Sequence, residues 1–174
     1  MARLSTERFI LKEIEQQDKE YIFQGLSDPE VTQYYGVHFP TREAIQEQMD
    51  WYADLKRNGT GLWWGIYTKD TDTFCGAGGY NGLDKTHRKA EIGFWLLPAF
   101  WGQGILKEVM PRLFELGFQE LGLNRIEGFV EHGNLKCKRA LEKVNFQYEG
   151  TMRQCEIKDG KFIDVDIYAN LREV

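Results

Sequence analysis

The middle of the chain changes its hydrophobic period abruptly at a pair of glycines. Upstream, Leu62–Thr68, Phe74–Tyr80 and Ala90–Leu97 read as three successive strands, the first two joined through the turn Lys69-Asp70-Thr71-Asp72. Downstream of Gly102-Gln103-Gly104, Ile105, Val109, Leu113 and Leu116 recur at helical spacing, with Met110, Phe114 and Phe118 beside them. A strand that feeds a glycine turn and then a long apolar stripe commits the middle of the chain to sheet followed by helix. Pro111 lies inside that stripe, where it removes a backbone hydrogen bond and is expected to kink the helix.

The flanks extend the pattern. Arg8-Phe9-Ile10-Leu11-Lys12 reads as a first strand, and Asp18 as the cap of a helix running toward Leu26. Pro29 is placed to open a short helix after the turn that begins at Ser27. Thr41 begins a further helix to about Leu55, with Ile45, Met49 and Tyr52 on one face and Asn58-Gly59-Thr60-Gly61 ending it. Arg125–Val130 is a strand and Asn134–Val144 a short helix. Phe146–Arg153 and Phe162–Leu171 form the last hairpin around Lys158-Asp159-Gly160-Lys161. Hairpins outnumber crossover helices. The expected fold is therefore α/β (α+β), a single domain over residues 1–174 with a mixed, mostly antiparallel sheet flanked by helices on both faces.

At 174 residues, 42% hydrophobic and 28% charged, the chain can bury one sizeable core. A net charge of −5 argues against broad binding to nucleic acid or anionic lipid. The longest mostly apolar stretch, Ile92 to Trp101, is broken by Gly93 and Pro98 and falls far short of the roughly 20 residues of a membrane span. Met1-Ala2-Arg3-Leu4-Ser5 carries no apolar signal region. Cys75, Cys137 and Cys155 are odd in number and widely spaced, which suits reduced thiols better than a disulfide frame or a zinc site. The expectation is a cytoplasmic protein without a metal, nucleic-acid or membrane partner, with a homodimer as the default oligomer.

Chemistry concentrates around Trp101-Gly102-Gln103-Gly104-Ile105-Leu106-Lys107. Glycines allow a sharp turn and close approach to a ligand, and the helix start that follows offers unpaired N–H groups at a positive dipole end, which suits a pyrophosphate. No Gly-Lys-Ser/Thr follows, so this is not a P-loop. Lys107 stands where a dinucleotide fingerprint needs its third glycine. A plain glycine turn between strand and helix explains the same residues.

Ala90-Glu91-Ile92-Gly93-Phe94-Trp95-Leu96, the Trp101–Leu106 loop, Asn134-x-x-Cys137 and Leu141-Glu142-Lys143-Val144-Asn145-Phe146 together resemble the GNAT acyl-CoA N-acyltransferases. Within that family the match is to the RimJ/RimL-like branch of ribosomal-protein N-terminal alanine acetyltransferases. The opening Glu7–Lys12, Asp28-Pro29-Glu30-Val31, and the closing Asp159-Gly160-Lys161 with Asp164 fit the same branch. The resemblance implies an acetyl-CoA site. Trp101, Gly102, Gln103, Gly104, Ile105, Leu106 and Lys107 would hold the pyrophosphate through backbone N–H groups. The pantetheine arm would pair with the backbone of Phe94, Trp95 and Leu96, and Asn134 would touch it. Three departures stand out. Trp101 and Leu106 replace the usual loop residues, so Leu106 must point away from the phosphates. Asn145 replaces a glycine and tolerates a left-handed backbone better than most residues. Leu141 occupies the place of a tyrosine that serves many members as general acid.

The implied reaction needs a neutral amine, so an alkylammonium near pKa 10 must first lose a proton. Glu91 is the leading base by the resemblance. The alternative is a structural Glu91 paired with Arg88 or Arg125. His132, just after a strand, is a second candidate base. Cys137, with an ordinary thiol pKa near 8.5, would match a leaving thiolate as proton donor. Equally, it is a small residue filling a helix face. Tyr34 and Tyr35, before Gly36, are candidates for the acceptor pocket, whereas Trp51, Tyr52 and Trp64 read as core. The reading is an N-acetyltransferase acting on a protein N-terminal α-amine or a small-molecule amine. The alternative is a non-catalytic acyl-CoA-binding module with the same fold.

Overall fold

The computed structural model describes residues 4–173. Seven strands form one sheet: β1 (Phe9–Glu13), β2 (Leu62–Thr68), β3 (Phe74–Asp84), β4 (Lys89–Leu96), β5 (Arg125–Glu131), β6 (Gln147–Lys158) and β7 (Lys161–Leu171). Their order is β1-β2-β3-β4-β5-β7-β6, and every neighbouring pair is antiparallel except β4 with β5. The parallel pair arises because helix α4 (Ile105–Glu115) crosses over between those two strands, whereas the others are joined by hairpins or by connections outside the sheet.

Alternation along the strands builds two cores. Trp64 and Ile66 of β2 and Ala90, Ile92 and Leu96 of β4 point to one face, covered by α4 and by Leu141 of α5 (Leu135–Glu142). Trp63, Tyr67 and Trp95 point to the other, covered by α1 (Lys19–Leu26) and α3 (Ile45–Asn58), with the short α2 (Pro29–Thr32) between them in sequence. Helices thus lie on both faces, as expected. Trp63 crosses the sheet on the α3 side: a Cβ at Gly79 or at Gly93 would come within 2.6 Å of its side chain. Those two glycines let an indole rooted on β2 reach the central strand.

Several local expectations are corrected. Asp18 stands at the N-cap position of α1 as expected, but its side chain makes no capping bond; its carboxylate accepts the Glu15 N–H (2.8 Å) and the Tyr67 hydroxyl (3.2 Å) instead. Thr41 opens a turn, in which its hydroxyl accepts the Ala44 N–H (3.1 Å), and α3 itself begins at Ile45. Helix α4 runs through Pro111, and the irregularity falls after it, as a π-type turn over Leu116–Glu120. Trp51 is 37% exposed, because it lies on the outer side of α3 against Tyr52 and Trp63, whereas Tyr52 and Trp64 are core as expected. Pro29 does open α2, and Asp28 caps it by accepting the Glu30 N–H (2.8 Å).

Candidate active site

Strands β4 and β5 run side by side only through Lys89/Arg125, Ala90/Ile126 and Glu91/Glu127. Beyond that point β4 continues to Leu96 against β3, and β5 to Glu131 against β7, so the two strands part and leave a gap between their facing edges. The Leu97 N–H donates to Cys75 O (2.9 Å). By alternation, the odd-numbered residues of β4 turn their main chain toward β3, and Ile92, Phe94 and Leu96 turn theirs toward the gap. The Leu96 carbonyl is taken by Trp101 Nε1 (2.8 Å). The C=O of Ile92, the N–H and C=O of Phe94 and the N–H of Leu96 remain as an open strand edge, the Ile92 N–H being used in the last rung with β5. This corrects the expectation for Trp95. Its main chain belongs to the β3 ladder, and its indole packs on α1, where a Cβ at Gly25 would lie 2.0 Å from the ring.

The open edge leads through the turn Pro98–Phe100 into the glycine loop. Gly102 (φ 73) and Gly104 (φ 75) are both left-handed, a conformation glycine adopts without strain. The first backbone hydrogen bond of α4 is Glu108 N–H to Gly104 O (3.2 Å). Among the described residues, the backbone N–H groups of 102–107 make no hydrogen bond, and no side chain caps the helix. Six successive donors at a helix N-terminus suit a diphosphate. The Leu106 side chain packs against the α4-side core, clear of those donors. Gln103 Nε2 donates to Ala99 O (2.7 Å), Lys107 is exposed, and the Lys136 ammonium stands 5.1 Å over the Trp101 ring. Arg8 Nη2 donates to Gln103 O (3.2 Å). In the sequence Arg8 reads as the start of a strand and as part of the opening that resembles the family, and its charge is the one local signal of this contact.

Glu91 stands at the fork, its side chain on the α3 face of the sheet. It accepts a hydrogen bond from Asn81 Nδ2 (3.0 Å). The structural ion pairs expected for it do not form: Arg88 Nε donates to Gly122 O (2.8 Å), and Arg125 pairs with Glu127 (2.7 Å) and Glu149 (2.5 Å). Burial pushes the Glu91 carboxyl above its ordinary value despite the Asn81 bond, and the carboxylates of Glu127 and Glu156 push it further. Tyr35 is partly buried beside Glu91 and Tyr52. Burial first, then those two neighbours, raise its phenol well above the ordinary value. Tyr34 is more exposed and sits against Gly133, with Lys158 Nζ 6.0 Å from its ring centre. Lys158 donates to Gln33 O (2.5 Å) and pairs with Glu131 (2.9 Å). The Gln33–Tyr35 loop therefore spans from the helical side to the β6–β7 hairpin, and it separates the two tyrosines: Tyr35 faces the fork and Tyr34 the rim.

Asn134 caps α5, its side-chain oxygen accepting the Cys137 N–H (3.1 Å), which leaves its amide NH₂ free to donate. Burial raises the Cys137 thiol to about 12. The pKa match expected between this thiol and a leaving thiolate is therefore absent, and Cys137 can donate a hydrogen bond but holds its proton. Leu141 is core, and Asn145 does adopt a left-handed φ of 67. His132 Nδ1 lies 3.0 Å from the buried Asp166, which also binds Lys138 and Thr151. Asp166 is in register with Val130, a residue of the α4-side core, so this network occupies the face opposite Glu91.

A parted parallel strand pair, an open β4 edge and a helix start with free N–H groups together define an acyl-CoA-dependent acyltransferase. Residues 8–147 match the acetyltransferase (GNAT) domain family, and the chain belongs to it. It is 37% identical over 169 residues to the uncharacterized N-acetyltransferase YoaA of Bacillus subtilis, covering 95% of this chain and 94% of that one. Its fold is like that of RimL, a ribosomal L7/L12 alpha-N-protein acetyltransferase solved with coenzyme A (TM-score 0.85, 20% identity, 97% and 96% of the two chains). It is also like that of the Vibrio cholerae spermidine N-acetyltransferase solved with CoA and spermine (TM-score 0.83, 20% identity, 94% and 95%). The chain is thus an N-acetyltransferase of the GNAT family. Among the described residues no helix is long and apolar enough to cross a membrane.

Proposed function

We propose that this chain transfers an acetyl group from acetyl-CoA to a primary amine, with Glu91 as general base. The observation that carries this reading is the parting of β4 from β5 immediately after Glu91 and Glu127, with the open β4 edge running into the free N–H groups of 102–107. Those N–H groups hold the diphosphate, and the Ile92 and Phe94 carbonyls and the Leu96 N–H pair with the pantetheine arm, to which the free Asn134 amide donates. Glu91 takes a proton from the amine, directly or through water, as the amine nitrogen bonds to the thioester carbon. The Phe94 N–H, aimed into the gap, stabilises the oxyanion. Collapse breaks the C–S bond. The Cys137 thiol donates a hydrogen bond to the departing thiolate, which takes its proton from solvent.

The rim favours an acceptor with one positive charge over a polycation. Glu127 is paired with Arg125 and Lys89, and Glu131 with Lys158, so two of the carboxylates near the gap are already neutralised. A protein N-terminal α-amine fits this balance better than spermidine. Release of CoA thiol, measured across peptides beginning with Ala or Ser, spermidine, and amino sugars, tests both levels. Turnover on the peptides with weak turnover on spermidine supports the reading. No acetyl-CoA-dependent thiol release on any amine overturns it.

A further inference from the structure

Glu108 is the acid in the first turn of α4, four residues after the N-terminal Gly104. The helix dipole favours a carboxylate there, but the same N–H groups are those read above as the diphosphate site, and a free carboxylate beside them repels a phosphate. The structure draws this carboxylate away. Glu108 accepts from Thr6 Oγ1 (2.6 Å), from the Arg8 backbone N–H (2.8 Å) and from Arg8 Nε (2.6 Å). The same guanidinium donates to Gln103 O (3.2 Å), inside the loop, and would lie 3.8 Å from a Cβ placed on Gly104. It is held in place by the Phe9 ring, 4.9 Å from the ring centre. Thr6 is itself anchored, its N–H donating to Phe9 O (2.9 Å) and its carbonyl accepting from Lys69 Nζ.

We infer that Arg8 is a positioning residue of the cofactor site: it neutralises Glu108 and ties the glycine loop to the start of β1, so that the first turn of α4 is free to take the diphosphate of acetyl-CoA. Arg8 touches no reacting atom. Its effect is on how tightly the phosphate-bearing half of the co-substrate is held, and the inference rests on the acetyl-CoA reading above.

The test uses the full chain as wild type, Arg8→Ala, Arg8→Lys, and Arg8→Ala combined with Glu108→Gln. Two acetyl donors are compared: acetyl-CoA, and S-acetyl-N-acetylcysteamine, a thioester without phosphates. For Arg8→Ala the KM and Kd for acetyl-CoA should rise about five- to tenfold with kcat within about twofold. Its kcat/KM for the phosphate-free thioester should stay within about twofold of wild type. Adding Glu108→Gln, which removes the uncompensated charge, should recover most of the loss for acetyl-CoA, and Arg8→Lys should fall between. Equal losses for both thioesters, or no rescue by Glu108→Gln, would overturn the inference by showing general damage to the fold. Unchanged acetyl-CoA affinity in Arg8→Ala overturns it directly. A wild-type chain that binds no acetyl-CoA overturns the acetyl-CoA reading itself, and the inference with it.

Discussion

Glu91 of β4 and Glu127 of β5 are the last residues to face each other before their strands separate. The two carboxylates differ in what surrounds them. Arg125 and Lys89 pair with Glu127, whereas Glu91 has only the neutral Asn81 amide and no cation among the described residues. Burial first, with no cation beside it, raises the proton affinity of Glu91, and a carboxyl in that setting is suited to accept a proton.

Glu91→Gln should lower kcat/KM for the amine by about a hundredfold or more, the usual worth of a general base. Because a base must be ionised, activity should rise with pH through a value above that of an ordinary glutamate, as the burial-raised carboxyl requires. Glu127→Gln should move that limb toward lower pH by removing a like charge. The linkage sign gives an independent check. A raised folded-state pKa means stability present at low pH and lost as pH rises through it. Glu91→Gln should therefore unfold at an equal or higher temperature than wild type at pH 8, which scanning calorimetry reads.

Asp166 is 1% exposed and binds Lys138, Thr151 and His132. Burial alone would raise its carboxyl, but the hydrogen bonds from Lys138, Thr151 and His132 outweigh it and hold the group at about 2, below its ordinary 3.8. Its contribution to stability is thus full above the ordinary value and is lost as pH falls through about 2. Asp166→Asn leaves the mostly buried Lys138 without its counter-charge. A loss of about 2–3 kcal/mol follows, or roughly 4–12 °C in Tm at pH 7. The gap to wild type should narrow at pH 3, and a constant gap between pH 7 and pH 3 argues against the ion pair as its source.

Gly93→Ala sets a methyl 2.6 Å from the buried Trp63 indole. Overpacking of this kind costs about 1–3 kcal/mol, or roughly 2–12 °C for a domain of this size. Trp63→Phe should absorb part of that cost in the double variant, giving a smaller combined loss than the sum of the two. Strict additivity in thermal unfolding would show that the contact is not what limits this position.

The thiols separate by burial. Cys137 and Cys75 are pushed up to about 12 and about 11, whereas Cys155 is exposed. A disulfide-exchange reagent at pH 8 should label Cys155 first and the other two at least about a hundredfold more slowly in the native chain. Cys137→Ala should lower turnover less than about tenfold, since only a hydrogen bond to the departing thiolate is lost, and leave acetyl-CoA binding within about twofold. Unchanged turnover would remove Cys137 from the reaction.

The glycine loop and the helix after it were legible because their requirements are local. Gly102 and Gly104 must be left-handed, Asn145 tolerates the same conformation, and the apolar stripe from Ile105 to Phe114 can only be one face of a helix. The capping bond of Asp18 was misread for the converse reason: a carboxylate before a helix can serve any donor in reach, and here Glu15 N–H and Tyr67 reach it first. Trp95 was misassigned because the direction in which a strand residue's N–H and C=O point depends on which neighbour it pairs with, and Cys75 opposite Leu97 settles that for β4.

By itself the sequence determined the succession of strands and helices, the two-sided core, the glycine turn and, through its resemblance, the family. The structural features follow from side-chain period and backbone preference within a few tens of residues, and the family from the resemblance of its motifs. Only the tertiary structure decided which groups meet. The closing of Arg8 on Glu108, the separation of Tyr35 from Tyr34, the turning of Arg88 and Arg125 to partners other than Glu91 and the burial of Cys137 all join positions distant in sequence or set a local dielectric. Proton affinity depends on solvent access and on charges within a few ångströms, and neither is fixed until the sheet has been assembled and the helices laid over it.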